Sequence, residues 1–152
     1  MHTVIMKTFT FESELLLARP IQEVFAFFSD AGNLETLTPP FLNFHVITPQ
    51  PIPMAAGTRI QYRLKIHGIP IRWESEISVW EPPYRFVDEQ LRGPYRLWHH
   101  EHTFAERDGR TAVHDHVTYA VFGGAIINKL MVAPDVRRIF AFRHEKLREL
   151  FP

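Results

Sequence analysis

Trp98-His-His-Glu-His-Thr-Phe104, then Ala105-Glu-Arg-Asp-Gly-Arg110, then Thr111-Ala-Val-His-Asp-His-Val-Thr-Tyr119, is the stretch on which the fold turns. Asp108-Gly109 is a strong two-residue hairpin signal, because the favoured tight turn needs positive φ at both central positions. With those residues at the centre, Arg107 faces Arg110, Phe104 faces Val113 and His102 faces Asp115. His100 then faces Val117, and Trp98 faces Tyr119. On the other side Thr103 meets His114 and Glu101 meets His116. One side has aromatic ends and the other is wholly polar. A slip of one residue would exchange the faces, so the sorting supports this register.

The pattern changes on both sides of the hairpin. Downstream, Gly123-Gly124 ends the sheet and Ala125 to Phe151 reads as helical. Leu130, Val136, Ile139, Phe140, Leu147, Leu150 and Phe151 fall mostly on one side of it. Pro134 starts a new helix or kinks a long one. Arg143, Lys146 and Arg148 lie near its C-terminus, where they complement the helix dipole. Upstream, Phe9 to Leu17 alternates as a half-buried strand, and Arg19-Pro20 opens a helix carrying Ile21, Val24, Phe25 and Phe28. Asp30 to Asn33 ends that helix or bends it into a second, and Pro39-Pro40 stops it. Strands follow at Asn43 to Thr48, Arg59 to Ile66, Ile71 to Trp80 and Arg85 to Leu91. In the third of these, Trp73, Ile77 and Val79 oppose Glu74 and Glu76. The order predicts an α+β fold: a curved antiparallel sheet of about seven strands, two short helices after the first strand, and a long C-terminal helix.

Composition narrows the function. The 152 residues read as one domain, 1–152. Lys+Arg and Asp+Glu both number 17, and that balance argues against nucleic acid as a partner. No apolar run approaches the roughly 18–20 residues of a membrane span. Met1 to Lys7 shows no signal-peptide pattern, so a cytoplasmic location is expected. The absence of cysteine excludes thiolate metal sites and a cysteine nucleophile. No GxGxxG, Walker-type or GxSxG sequence is present, and no cofactor is expected. Thirteen phenylalanines suit either a heavy core or an apolar cavity.

The element order, from Phe9 to Phe151, resembles the START-like, helix-grip fold of the SRPBCC superfamily. Several segments are similar to its polyketide cyclase/dehydrase-like bacterial subgroup. These are Arg19-Pro-Ile-Gln-Glu-Val-Phe-Ala-Phe-Phe28 with Asn33-Leu34 and Leu37-Thr-Pro39, Trp80-Glu-Pro-Pro83, Phe86-Val-Asp-Glu-Gln90 and Trp98 to Phe104. Asp115-His-Val-Thr-Tyr119 and Ile139-Phe-Ala-Phe-Arg143 complete the set. The resemblance implies a pocket for a small hydrophobic molecule between the sheet and the C-terminal helix. It implies a cavity rather than a chemistry.

Ligand-binding candidates are Tyr62, Trp73, Phe86, Trp98, Phe104 and Val117, with Ile127 and Met131 at the mouth, where the resemblance suggests a gate. His100, His102, Asp115 and Tyr119 are the catalytic candidates. Three readings of them stand side by side. Asp115 can accept from His102 as a buried structural pair. A carboxylate–imidazole dyad can serve as an acid or base. Two histidines and a carboxylate can form a facial metal site, although same-face neighbours about 6.5–7 Å apart must converge on it; no metal is assigned. His99, His114 and His116 face outward, and outward is also the expectation for Asp88 and Gln90. The functions carried forward are a binding module for an apolar metabolite or lipid, a cyclase/dehydratase-type enzyme, and a protein-interaction domain with a filled cavity.

Overall fold

The alternation of Phe9, Phe11, Leu15 and Leu17 makes β1, Phe9–Leu17. Pro20 cannot donate to a strand, but its carbonyl accepts from the amides of Glu23 and Val24 and so starts α1, Ile21–Phe28. That helix buries Ile21, Val24, Phe25 and Phe28. A bend stabilised by Gly32 N–H donating to Asp30 Oδ1 leads into α2, Asn33–Leu37. A single 3-10 turn, Pro40–Leu42, ends the helical segment.

The computed structural model describes residues 6–152, and the reading of the N-terminus as free of a signal peptide falls partly outside them. The remaining strands are β2 His45–Val46, β3 Arg59–Ile66, β4 Ile69–Glu81, β5 Arg85–Arg92, β6 Leu97–Arg107 and β7 Arg110–Ala120. They form one antiparallel, seven-stranded curved sheet in the order β1-β7-β6-β5-β4-β3-β2. The β6–β7 register is the one read from the sequence, with His102 opposite Asp115 and Arg107 opposite Arg110. Positive φ at Asp108 and Gly109 closes the turn as that reading requires. Gly123 and Gly124 also have positive φ and break the chain out of the sheet. α3, Gly124–Ile127, passes through a π-helical turn, Asn128–Val132, into α4, Ala133–Leu150, with Pro134 in its first turn.

Val136, Phe140, Arg143 and Leu147 form the buried stripe of α4. Val136 and Phe140 pack with Val117, Tyr119 and Phe11 of the sheet. Leu147 and Phe151 join the phenylalanines of α1 with Phe86 and Phe104. Leu130 and Leu150, expected on the buried side, are exposed: the π-helical turn rotates Leu130 off the stripe, and Leu150 lies three positions past Leu147 at the fraying end. Arg143 is buried in the middle of the helix rather than complementing its dipole at the end. β4 carries a bulge between Ile77 and Val79. The extra residue shifts the side-chain period, so Trp80, not Val79, packs inward against Phe25 and Phe86.

Phe104 is 3% exposed and touches Phe25, Phe28 and Phe86. Phe104→Ala should lower stability by about 3–5 kcal/mol, read as a fall in the urea midpoint at unchanged slope.

Candidate functional site

The turn after β5 decides what lies beside the histidines. β5 and β6 pair with Phe86 opposite His102 and Asp88 opposite His100. The side chain of Gln90 holds this turn, its amide donating to the Tyr95 carbonyl and its oxygen accepting from the Tyr95 amide. Asp88 therefore faces inward, contrary to the outward expectation, and Gln90 is half-buried against the turn. The loop between these strands allowed either register, so only the folded pairing resolves it.

His102 and Asp115 are opposite in register, yet the hydrogen bonds run diagonally. His100 Nε2 lies 2.7 Å from Asp115 Oδ1, and His102 Nε2 lies 2.6 Å from Asp88 Oδ2. The reason is stacking: the two imidazoles lie 3.7 Å apart and nearly parallel, with Phe86 stacked on the outer side of His102. Diagonal neighbours lie within reach of long and aromatic side chains. His102 Nδ1 is 3.5 Å from Asp115 Oδ1 and has no hydrogen-bond partner. From the helix side, Arg143 Nη2 stands 3.9 Å from the same Asp115 oxygen.

This makes a buried cluster of two carboxylates, two imidazoles and one guanidinium. Two imidazolium rings in stacked contact beside the Arg143 charge would repel one another. Burial, reinforced by the His100 ring, pushes His102 down to about 4, so it is neutral at pH 7. Burial opposes ionisation of Asp115, but the Arg143 charge and the His100 hydrogen bond outweigh it and hold that carboxyl below its usual value. Asp88 is likewise held down against its burial, chiefly by His102.

The cluster opens onto a cavity of about 360 Å³ between the sheet, α1–α2 and α4, a size within the ordinary range of ligand sites. Tyr62, Trp73, Phe86, Trp98, His100, His102 and Ile127 of the expected residues line it. Phe28, Leu37, Leu42, Leu64 and Phe140 extend the apolar wall, and Asp30, Asp88, Asp135 and Arg143 are its charged members. Three expected lining residues lie elsewhere. Phe104 is packed in the α1 cluster, Val117 is sealed beneath Val136 and Phe140, and Met131 is largely exposed on the π-helical turn. Asp115 sits behind the histidines at 1% exposure, bonded to His100 rather than meeting the cavity. The Tyr119 hydroxyl, raised in pKa mainly by burial, donates to Asn128 Oδ1 at 2.7 Å and ties β7 to the start of the helix. His99, His114 and His116 lie on the opposite face, with His116 near Glu12.

The three-ligand group that the fold assembles is Asp88, His100 and His102, with Asp88 in the place expected of Asp115. One ligand atom of each lies within 4.8 Å of the others, while the two imidazoles are stacked and His102 Nε2 is engaged by Asp88.

Two charged members of the cluster on the cavity wall were not among the sequence candidates. Asp88 was hidden by the ambiguous turn. Arg143 had a visible signal: it stands in the i, i+4, i+7, i+11 series Val136, Phe140, Arg143, Leu147, the centre of the apolar stripe.

The family profile for polyketide cyclase / dehydrase and lipid transport matches residues 17–141. The chain belongs to this family. No curated protein matches it in sequence. Its fold is shared by the Zhui aromatase/cyclase of a Streptomyces species, at TM-score 0.73 and 14% identity over 93% of this chain and 92% of that one. Protein Ms6760 from Mycobacterium smegmatis aligns at TM-score 0.67 and 19% identity, over 94% of this chain and 89% of the other. A norcoclaurine synthase point mutant from Thalictrum aligns at 0.68 and 12%, over 97% and 98%. These structures establish the START-like, helix-grip architecture of this family member.

A pH titration tests the cluster. A group whose folded pKa lies below its unfolded value binds fewer protons when folded, so stability is lost as pH falls from about 6.5 towards 4. His144, lowered mainly by its own burial, acts in the same sense. The urea midpoint of the wild type should therefore fall across this window, and His102→Gln should flatten a large part of the slope. The carboxylates act only below it. A His102→Gln slope equal to that of the wild type would contradict a neutral His102.

Proposed function

We propose that this protein binds a small, largely apolar, ring-bearing compound in the cavity between sheet and C-terminal helix. The observation that carries the reading is the cavity itself. It keeps about 360 Å³ open even though 13 phenylalanines were available to fill it. Its wall is mostly apolar with a minority of polar groups, the composition of a small-molecule site rather than of a packed core. Tyr62, Trp73 and Trp98 offer faces for a planar ligand, and Asp88 and Arg143 offer an acceptor and a donor. The open volume also weighs against the filled-cavity, protein-interaction alternative.

The test uses a neutral fluorescent ring compound, aminoanthracene, with quenching of Trp73 and Trp98 as the signal. Saturable one-to-one binding is expected. Val132→Trp, at a half-buried lining position on the π-helical turn, should weaken it by roughly tenfold or more without altering the circular dichroism. Unsaturable, surface-type quenching unaffected by that change would refute the reading.

One observation favours a second reading, cyclase/dehydratase-type chemistry. Asp88 keeps about a fifth of its side-chain surface open while His102, on the same cavity wall, is almost fully buried. The carboxylate is thus the more open member of the dyad, and the neutral imidazole is its proton partner. Such a pair can remove a proton from an acidic C–H and return one to a departing hydroxyl. The relatives described as an aromatase/cyclase and a norcoclaurine synthase add weight to this alternative. Given a poly-β-carbonyl substrate, Asp88→Asn should reduce turnover by about 10²–10⁴-fold while aminoanthracene affinity stays within a few-fold. Absence of turnover in the wild type across such substrates would leave the binding role alone.

A further inference from the structure

Arg143 is a buried cation short of partners. It is 8% exposed, and its Nε and Nη2 are enclosed without an acceptor. Its neighbouring carboxylate oxygen, Asp115 Oδ1, lies 3.9 Å from Nη2, beyond hydrogen-bond range. A guanidinium serving only as counter-ion to Asp115 would set its fork on that carboxylate in two short bonds. Instead His100 takes the Asp115 oxygen, and the rings of Phe28 and Phe140 cradle the guanidinium at 5.2 and 5.8 Å. Both rings and Arg143 line the cavity. The cation is positioned by aromatic faces, and its donors remain unspent.

Resting on the reading of the cavity as a ligand site, we propose that Arg143 anchors a carboxylate, so that the ligand is an apolar ring compound bearing one such group. A planar carboxylate matches the guanidinium fork and supplies the acceptors that Nε and Nη2 lack, by a small movement of a long side chain. Among the described residues, Arg143 is the only Lys or Arg on the cavity wall, whereas Asp30, Asp88 and Asp135 also line it. One cation among three acids suits a singly charged group and disfavours a phosphate dianion. Asp88 itself is occupied by His102 Nε2. The apolar body of the ligand then lies against Tyr62 and Trp73, away from the charge.

The experiment compares naphthoate with its neutral isostere naphthamide near neutral pH, by calorimetry or tryptophan quenching, on the wild type, Arg143→Lys and Arg143→Met. The wild type should bind the carboxylate tighter by roughly tenfold or more, the range of a charge-assisted hydrogen bond. Arg143→Lys should retain part of that preference, and Arg143→Met should erase it while keeping amide affinity. Equal binding of acid and amide by the wild type would overturn the carboxylate anchor and leave the cavity reading standing. A full preference surviving in Arg143→Lys and Arg143→Met would overturn the assignment to Arg143. If neither compound binds, the cavity reading fails and the anchor with it. Should Arg143→Met not fold, the wild-type comparison and Arg143→Lys still decide.

Discussion

Asp115 is a carboxylate at 1% exposure in the middle of the sheet. An ion in that position is tolerated only when its charge and its lone pairs are both answered. His100 answers with a 2.7 Å hydrogen bond, and Arg143 brings positive charge to 3.9 Å. This requirement links the elements that enclose the cavity. It holds β6 against β7, draws the stripe of α4 onto the sheet, and aligns the two imidazoles in a stack. That stack in turn directs His102 to Asp88 across to β5. The polar side of the cavity is therefore one connected network, and each member is positioned by another rather than by its own strand alone.

The cavity stays open because the large side chains that could fill it are engaged elsewhere. Phe25, Phe28 and Phe104 pack on one another beneath α1, and Trp73, Tyr95 and Trp98 form a second aromatic group at the other end. These rings meet edge to face or tilted, the arrangements that aromatic pairs prefer. The β4 bulge contributes by moving Trp80 to the inner face against Phe25. After β7, positive φ at Gly123 and Gly124 and the π-helical turn leave Phe122, Ile126, Leu130 and Met131 exposed.

Much of this was legible from residues alone. The Asp108-Gly109 turn and the sorting of Trp98 to Phe104 against Val113 to Tyr119 set the β6–β7 register, because a half-buried strand admits one register only. Alternation and helical spacing, broken by prolines and glycines, placed the other elements. The same hairpin put His100, His102 and Asp115 on one face. The outcome failed where a short segment offered two equivalent pairings, as at Arg92 to Pro94, or where a local irregularity changed the period, as at the β4 bulge and the π-helical turn.

By itself the sequence determined the order and type of the elements, the sheet pairing around the hairpin, and the inward set of histidines, because these rest on local periodicity and turn geometry. Only the tertiary structure decided who bonds to whom. His102 turned from Asp115 to Asp88, and Arg143 moved from a helix-end charge to the centre of the site. These outcomes depend on stacking between strands and on the packing of α4 across the sheet, contacts between residues far apart in the chain. Periodicity tells which side of an element is buried, whereas the partner of a buried charge is set by what the opposing surface brings to it.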